Sequence, residues 1–292
     1  MISGRALKGR AFPEVVSRYR RQDAALYALG LGISGDPLDE ADLRFTFEDA
    51  QGGFQVMPTF AVTLGHPGFW LREPDVGADW VKLVHGEQRL ELLRPLPPSG
   101  ELRGTNRVTH AIDKGPDKGA VIVVERCLHQ VPDGDLVARM DQVVLLRADG
   151  GWSGDDDPSD QPLPPLPPAP QRPPDTGRAY ATPANLALIY RLAADPNPLH
   201  ADPAVARAAG FDRPILHGLA TFGIAARALI ETCCDGEAAR LGAIAGRFTA
   251  PVYPGETLRA DVWRDGRELR FEMTSQDRAV AVMRCGTARI VA

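Results

Sequence analysis

Residues 218–234 read GLATFGIAARALIETCC, an apolar run with a glycine at its start and room for roughly four to five helical turns. Four segments of strand character follow it: GAIAGRFTA (242–250), TLRADVWRDG (257–266), RELRFEMTSQ (267–276) and AVAVMRCGTARIV (279–291), joined by turn signals such as PGE and RDG. One apolar helix followed by an antiparallel meander specifies an α+β layout, because a sheet with one apolar face can wrap around the helix and bury it.

The first half repeats this order. TFAVTLG (59–65) is the helix candidate, followed by VKLVHGEQRLELL (81–93), ELRGTNRVTHAI (101–112), AVIVVERCLHQV (120–131) and LVARMDQVVLL (136–146). Short matches link the halves in register: Tyr27 with ALGLGISGDP on Tyr190 with RLAADPNPLH, PTFAVTL from Pro58 on ATFGIAA from Ala220, PLPPSGEL from Pro95 on PVYPGETL from Pro251, and VARM from Val137 on VAVM from Val280. Weak matches that keep the same order indicate an internal duplication. Between the copies, GGWSGDDDPSDQPLPPLPPAPQRPPDT (150–176) is too rich in proline to join a sheet and favours extended geometry. It reads as a semi-rigid connector, or less readily as a ligand for a proline-binding module. The expected division is a unit at 1–149, a linker at 150–176 and a second unit at 177–292.

Just upstream of the apolar helix, Asp195, Asn197 and His200 lie in a loop broken by Pro196 and Pro198. A stiff backbone of this kind sets side chains, as catalysis requires. Asp202 is placed to cap a helix beginning at Pro203 and ending at Gly210. His217 and Gly218 open the apolar helix, where free N–H groups and the helix dipole favour negative charge. Gly218 has no side chain to obstruct a ligand, so its N–H suits a carbonyl oxygen that gains charge. An Asp and a His together can orient and deprotonate water near neutral pH. The set suits addition of water to a double bond conjugated to a carbonyl, with no cofactor. Blander readings stand beside it: Asn197 as a turn residue, His217 as structural, and HAD (200–202) as the HxD spacing of an iron triad, although that motif belongs on a strand.

Composition excludes other classes. With 33 basic and 38 acidic residues, a net charge of −5 and no basic block, nucleic acid is not an expected partner. No stretch approaches the roughly 18 apolar residues of a membrane span, and the N-terminus lacks a signal core, so a cytoplasmic location is expected. The 44% apolar and 24% charged content is that of a folded, water-soluble chain. The four cysteines show no CxxC spacing, which argues against a zinc knuckle or a disulfide framework.

The stretch YRLAADPNPLHADPAVARAAGFDRPILHGLATFG (190–223) resembles the signature of the hydratase 2 group of the MaoC-like family, the (R)-specific enoyl-CoA hydratases. RFTAPVYPGETL (247–258) is similar to a downstream family segment. In the first half YALGLG, MPTF, LVHGEQRLELLRPLP and DKG resemble the two-copy members, including the hydratase domain of peroxisomal multifunctional enzymes. The resemblance covers nearly all of the chain outside the linker. It implies a double hot-dog fold in which each unit wraps an antiparallel sheet around a central helix. The second unit is then catalytic and the first altered to admit longer or bulkier acyl chains. It further implies that Asp195 and His200 activate water, Asn197 orients the site and Gly218 supplies the oxyanion donor, while His85, Gly86, Lys114 and Phe248 contact the acyl-CoA. Under the internal alignment Gly32 faces Asp195 and Pro37 faces His200, so the first copy lacks the acid and base. Pro196 departs from the family pattern, which touches acyl-chain preference.

The implied activity is that of a hydro-lyase: reversible syn hydration of trans-2-enoyl-CoA to (3R)-3-hydroxyacyl-CoA, with acyl-CoA as substrate, no metal, and a homodimer as a possible assembly. The alternatives are a hot-dog thioesterase, a non-catalytic acyl-CoA binding module, and a dehydratase serving a specialised pathway.

Overall fold

The structure, a computed structural model, describes residues 2–36 and 38–292. Pro37, the residue aligned with His200, lies outside the described residues. In chain order the first unit contains α1 (Gly4–Lys8), β1 (Val15–Tyr19), α2 (Arg21–Leu29), α3 (Glu40–Leu43), β2 (Leu83–Leu92), β3 (Gly100–Asp113), β4 (Ala120–Gln130) and β5 (Leu136–Leu146). The second contains β6 (Thr176–Ala181), α4 (Leu186–Ala193), α5 (Pro203–Ala208), α6 (Gly218–Cys233), β7 (Leu241–Phe248), β8 (Thr257–Asp265), β9 (Glu268–Ser275) and β10 (Val280–Ile290).

Among the described residues, all strands pair antiparallel into one ten-stranded sheet of order β1-β3-β4-β5-β2-β7-β10-β9-β8-β6. The halves of that order are the same pattern run in opposite directions, as an internal duplication about a twofold axis requires. The seam is the β2–β7 pair, in register from Glu87 opposite Arg247 to Glu91 opposite Ala243. The eight longer strands coincide with the eight segments expected from sequence. The edge strands β1 and β6 were not foreseen, since VVSRY and TGRAYA alternate too weakly to stand out from their polar flanks.

Alternation explains how the sheet holds its core. Along β9, Leu269, Phe271 and Met273 point inward while Glu268, Arg270 and Glu272 point away. They meet α6, most of which is buried and accordingly apolar, with Arg227 and Glu231 as its charged exceptions. Gly223 sits mid-helix despite its helix cost because a Cβ there would lie 2.4 Å from Cδ2 of Leu31. The helix ends at Asp235 and Gly236, both at positive φ, with the Gly236 N–H donating to the Ile230 carbonyl.

The first unit's counterpart of α6 is shorter and tighter than α6 itself. The candidate TFAVTLG (59–65) is helical at Pro58–Thr63, but as a six-residue 3-10 helix against the sixteen-residue α-helix of α6. The chain leaves it at Leu64 in extended geometry and reaches Gly65 at φ +63, pressed backbone to backbone on Gly104 of β3, where a Cβ on Gly104 would lie 2.5 Å from the Gly65 Cα. Asn106 donates to the Gly65 carbonyl, and the buried Arg126 donates to the carbonyls of Val62 and Leu64. These contacts hold the end of the segment against the sheet.

The proline-rich stretch is held along the surface. Asp157 accepts from Ser3 and from the Arg5 N–H, Asp160 accepts from Lys8 and the Ala111 N–H, and the Pro164 and Arg172 carbonyls accept from Arg89 and Trp263. Arg227 of α6 joins the units directly, donating to Asp42 at 2.9 Å, Glu231 at 2.7 Å and the Gly32 carbonyl at 3.0 Å.

Candidate active site

The loop between α4 and α5 is shaped by its own side chains. Asp195 Oδ1 accepts from the Asn197 N–H at 3.0 Å, and Asn197 Oδ1 accepts from the Leu199 N–H at 3.1 Å. Pro196 and Pro198 have no N–H, so every donor in this turn is engaged by a side chain two residues back. Asn197 is thus a turn-forming residue here. A short 3-10 turn, Pro198–His200, then carries the imidazole of His200 inward, where it is buried.

His200 donates its Nδ1–H to the Ile215 carbonyl at 2.8 Å, which leaves Nε2 as the basic nitrogen. His217, the residue before α6, donates Nε2–H to the main-chain carbonyl of Asp195 at 3.0 Å. The two rings stack, with centroids 3.6 Å apart and planes at 28°. Burial lowers the pKa of His200, opposed by the Ile215 hydrogen bond and the Asp195 charge. Burial, aided by His200, pushes His217 down to about 2. The pair is therefore neutral at physiological pH, with a free His200 lone pair beside the Asp195 carboxylate.

Donor atoms of Asp195, His200 and His217 lie within 4.8 Å of one another, close enough to raise the question of a metal. Ligation needs lone pairs converging on a point about 2.0–2.2 Å away. Stacked imidazoles direct theirs along nearly parallel planes, a poor fit. Asp202 of the HAD sequence is turned elsewhere: its carboxylate caps α5, accepting from the Ala204 N–H at 2.7 Å.

Gly218 is the first residue of α6, and the earliest helical bonds, from Ala220 and Thr221 to the His217 carbonyl, begin beyond it. A Cβ there would sit 3.3 Å from the Phe248 ring. Phe248, at the end of β7, meets His85 of β2 edge to face at 5.0 Å, and burial pushes the His85 pKa down to about 4. Gly86 occupies a register break between His85 and Glu87, where a side chain would press on Leu145 at 2.9 Å. His85 of the first unit thus meets Phe248 of the second, which in turn packs against Gly218, while Gly86 lies beside His85 in the strand. Lys114 stands apart in the exposed β3–β4 turn, at the same end of the sheet as the start of β2.

Comparison with known proteins places this arrangement. Residues 17–148 match the model of the MFE-2 hydratase 2 N-terminal domain, and residues 166–284 match that of the MaoC-like domain. The enoyl-CoA hydratase ChsH3 of Mycobacterium tuberculosis is 38% identical over 97% of each chain. The chain belongs to the MaoC-like hydratase 2 family. The peroxisomal enoyl-CoA hydratase 2 of Arabidopsis thaliana is 37% identical over 95% of this chain and 92% of its own. The peroxisomal multifunctional enzyme type 2 of mouse is 37% identical over 90% of this chain, which spans only 35% of that longer protein. Among solved structures, a MaoC-like dehydratase from Phytophthora capsici superposes with a TM-score of 0.85 at 31% identity, covering 98% of this chain and 97% of that one. The full-length multifunctional enzyme type 2 of Drosophila melanogaster gives 0.81 at 34% identity, covering 96% and 48%.

Sequence reasoning left His217 as a structural residue and gave Tyr190 no role. The structure sets Tyr190 against His217 at 4.8 Å, and His217 against His200. The usable signal was the pairing of Tyr27 with Tyr190 in the internal alignment, since a bulky residue kept in both halves of a duplication marks the axis between them.

Proposed function

We infer that this chain is an (R)-specific enoyl-CoA hydratase, a hydro-lyase acting on the trans-2-enoyl thioester of coenzyme A. The observation that carries this reading is the neutral His200, its Nδ1–H committed to Ile215 and its Nε2 free beside Asp195, next to a helix N-terminus opened by a glycine.

In this reading Asp195 and His200 Nε2 hold a water. As its oxygen bonds to C3, Nε2 takes a proton, and the electron pair of the C2–C3 double bond moves onto the thioester oxygen. That oxygen accepts from the Gly218 N–H, which is worth most in a water-excluded site. Asp195 offsets the imidazolium charge. The proton then passes to C2 from the same face, so water adds syn, and every step reverses in dehydration. His85, Gly86 and Phe248 flank the thioester, and Lys114 serves the nucleotide phosphates as a mobile cation. No step uses a metal or cofactor.

A preference for longer or bulkier acyl groups is supported by the contraction of the first unit's central helix to Pro58–Thr63. For location, no described helix is long and apolar enough to cross a membrane. Some relatives are named peroxisomal, and fractionation would test the cytoplasmic reading against that. A homodimer is tested by sedimentation.

The deciding assay follows enoyl-thioester absorbance across trans-2-enoyl-CoAs of increasing length, with the product coupled to an (R)-specific dehydrogenase. Loss of absorbance with coupled turnover is expected. Release of free CoA at constant absorbance would make the chain a thioesterase, and binding with neither change a non-catalytic module.

A further inference from the structure

Behind His217 a group of polar atoms runs across the boundary between the units. Tyr190 of α4 lies against the His217 ring, and Tyr27 of α2 lies against Tyr190 with ring centroids 5.6 Å apart. Thr59, in the 3-10 helix, faces the same place: its hydroxyl and that of Tyr190 lie within reach of the Tyr27 hydroxyl, and the Asp195 carboxyl is near enough to Tyr190 to bear on it. Tyr27, Thr59 and Tyr190 are 0% exposed and His217 is 2% exposed. Yet among the described residues Tyr27 Oη, Thr59 Oγ1, Tyr190 Oη and His217 Nδ1 have no well-aligned hydrogen-bond partner.

A buried polar atom without a partner costs about 1–3 kcal/mol; the three hydroxyls offset part of that through one another, but His217 Nδ1 has no hydrogen-bond partner among the described residues and calls for a further group. Their chemistry names it. The three hydroxyls can donate or accept, whereas His217 Nδ1 can only accept, because Nε2 carries the proton given to the Asp195 carbonyl. Water, with two donors and two acceptor sites, completes such a set.

We propose that Tyr27 and Thr59 of the first unit, with Tyr190 of the second, hold internal water against Nδ1 of His217 and are positioning residues for the acid–base pair. The inference rests on the hydratase reading. His217 anchors the Asp195 main chain through one nitrogen and supports the His200 ring with its face. Fixing the other nitrogen fixes both catalytic side chains. The unit without acid or base thus contributes two hydroxyls to the other unit's chemistry.

The test combines isosteric removal of each hydroxyl, Tyr27→Phe, Thr59→Val and Tyr190→Phe, with 15N NMR of the imidazoles in the whole protein labelled at histidine. The expected result is a displaced His217 Nδ1 resonance in each variant, with kcat reduced about tenfold and KM unchanged, the weight of one lost hydrogen bond at a positioned group. Thr59→Ser, which keeps the hydroxyl, should restore both signals. An unmoved His217 resonance in Tyr27→Phe and Thr59→Val, with unchanged kcat and higher thermal stability, overturns the proposal, since the hydroxyls would then be packing alone. The NMR result decides the positioning role even if the wild-type chain hydrates no enoyl-CoA, an outcome that would refute only the hydratase reading.

Discussion

The two units share a strand order and differ in nearly everything that does chemistry. Counting from the matched prolines 95 and 251, which follow β2 and β7, Leu92 stands where the second unit has Phe248, Leu241 where β2 has His85, and Gly242 where β2 has Gly86. Val56 takes the place of Gly218 under the Pro58 to Ala220 match. Val56, Leu92, Leu241 and Gly242 line one cavity of about 150 Å³ at the opposite end of the sheet. It is the counterpart of the candidate site: imidazole, ring and helix N-terminus are exchanged for aliphatic groups, while the glycine that lets strands approach is kept. Backbone pairing must satisfy every N–H and C=O in both copies and so resists change, whereas loop side chains answer only to the reaction.

The comparison breaks most sharply at the acid and base. Asp195→Asn and His200→Gln are each expected to lower turnover by about two to four orders of magnitude with folding intact, and activity retained in both would transfer the chemistry elsewhere. Gly32, the residue facing Asp195, sits at φ +75, and Gly32→Asp should add no activity.

Next in size is the tie between units. In Arg227→Met, the buried Asp42 loses its cation, and stability should fall by about 3–5 kcal/mol in urea unfolding. Unchanged stability would show that the units do not depend on this contact.

Acid should act on the side of the candidate site first. The folded-state pKa of His217 is about 2 and that of His85 about 4, against about 6.5 in an unfolded chain. Below pH 6.5 the unfolded state binds protons that the folded state refuses, so the stability present above that pH is lost as pH falls. From pH 6.5 to 5 each group should remove about 2 kcal/mol. Urea midpoints at pH 7 and pH 5 measure this, and His217→Phe should shed its share of the slope.

The smallest effect sharpens the packing difference. Gly223→Ala forces Leu31 away from α6 and should cost about 1–3 kcal/mol, visible as a lowered Tm, with kcat per folded molecule nearly preserved. A stabilised variant would mean that Leu31 yields more easily than its burial suggests.

Much of this protein was legible in its residues. The alternation along β8 and β9, the proline-stiffened Asp195 loop, the Asp202 cap and the glycine opening α6 all act over short stretches of chain, where local sterics and hydrogen bonding decide conformation. What stayed hidden depends on groups far apart in sequence. The end of the first unit's 3-10 helix is held by Gly65 on Gly104 and by Arg126 gripping Val62 and Leu64. The stacking of His217 on His200 depends on carbonyls at Asp195 and Ile215, and the convergence of Tyr27, Thr59 and Tyr190 depends on both units closing around α6. Period and turn chemistry are properties of neighbours along the chain. Tautomer, burial and shared polar sites are properties of neighbours in space, and only the folded sheet brings those together.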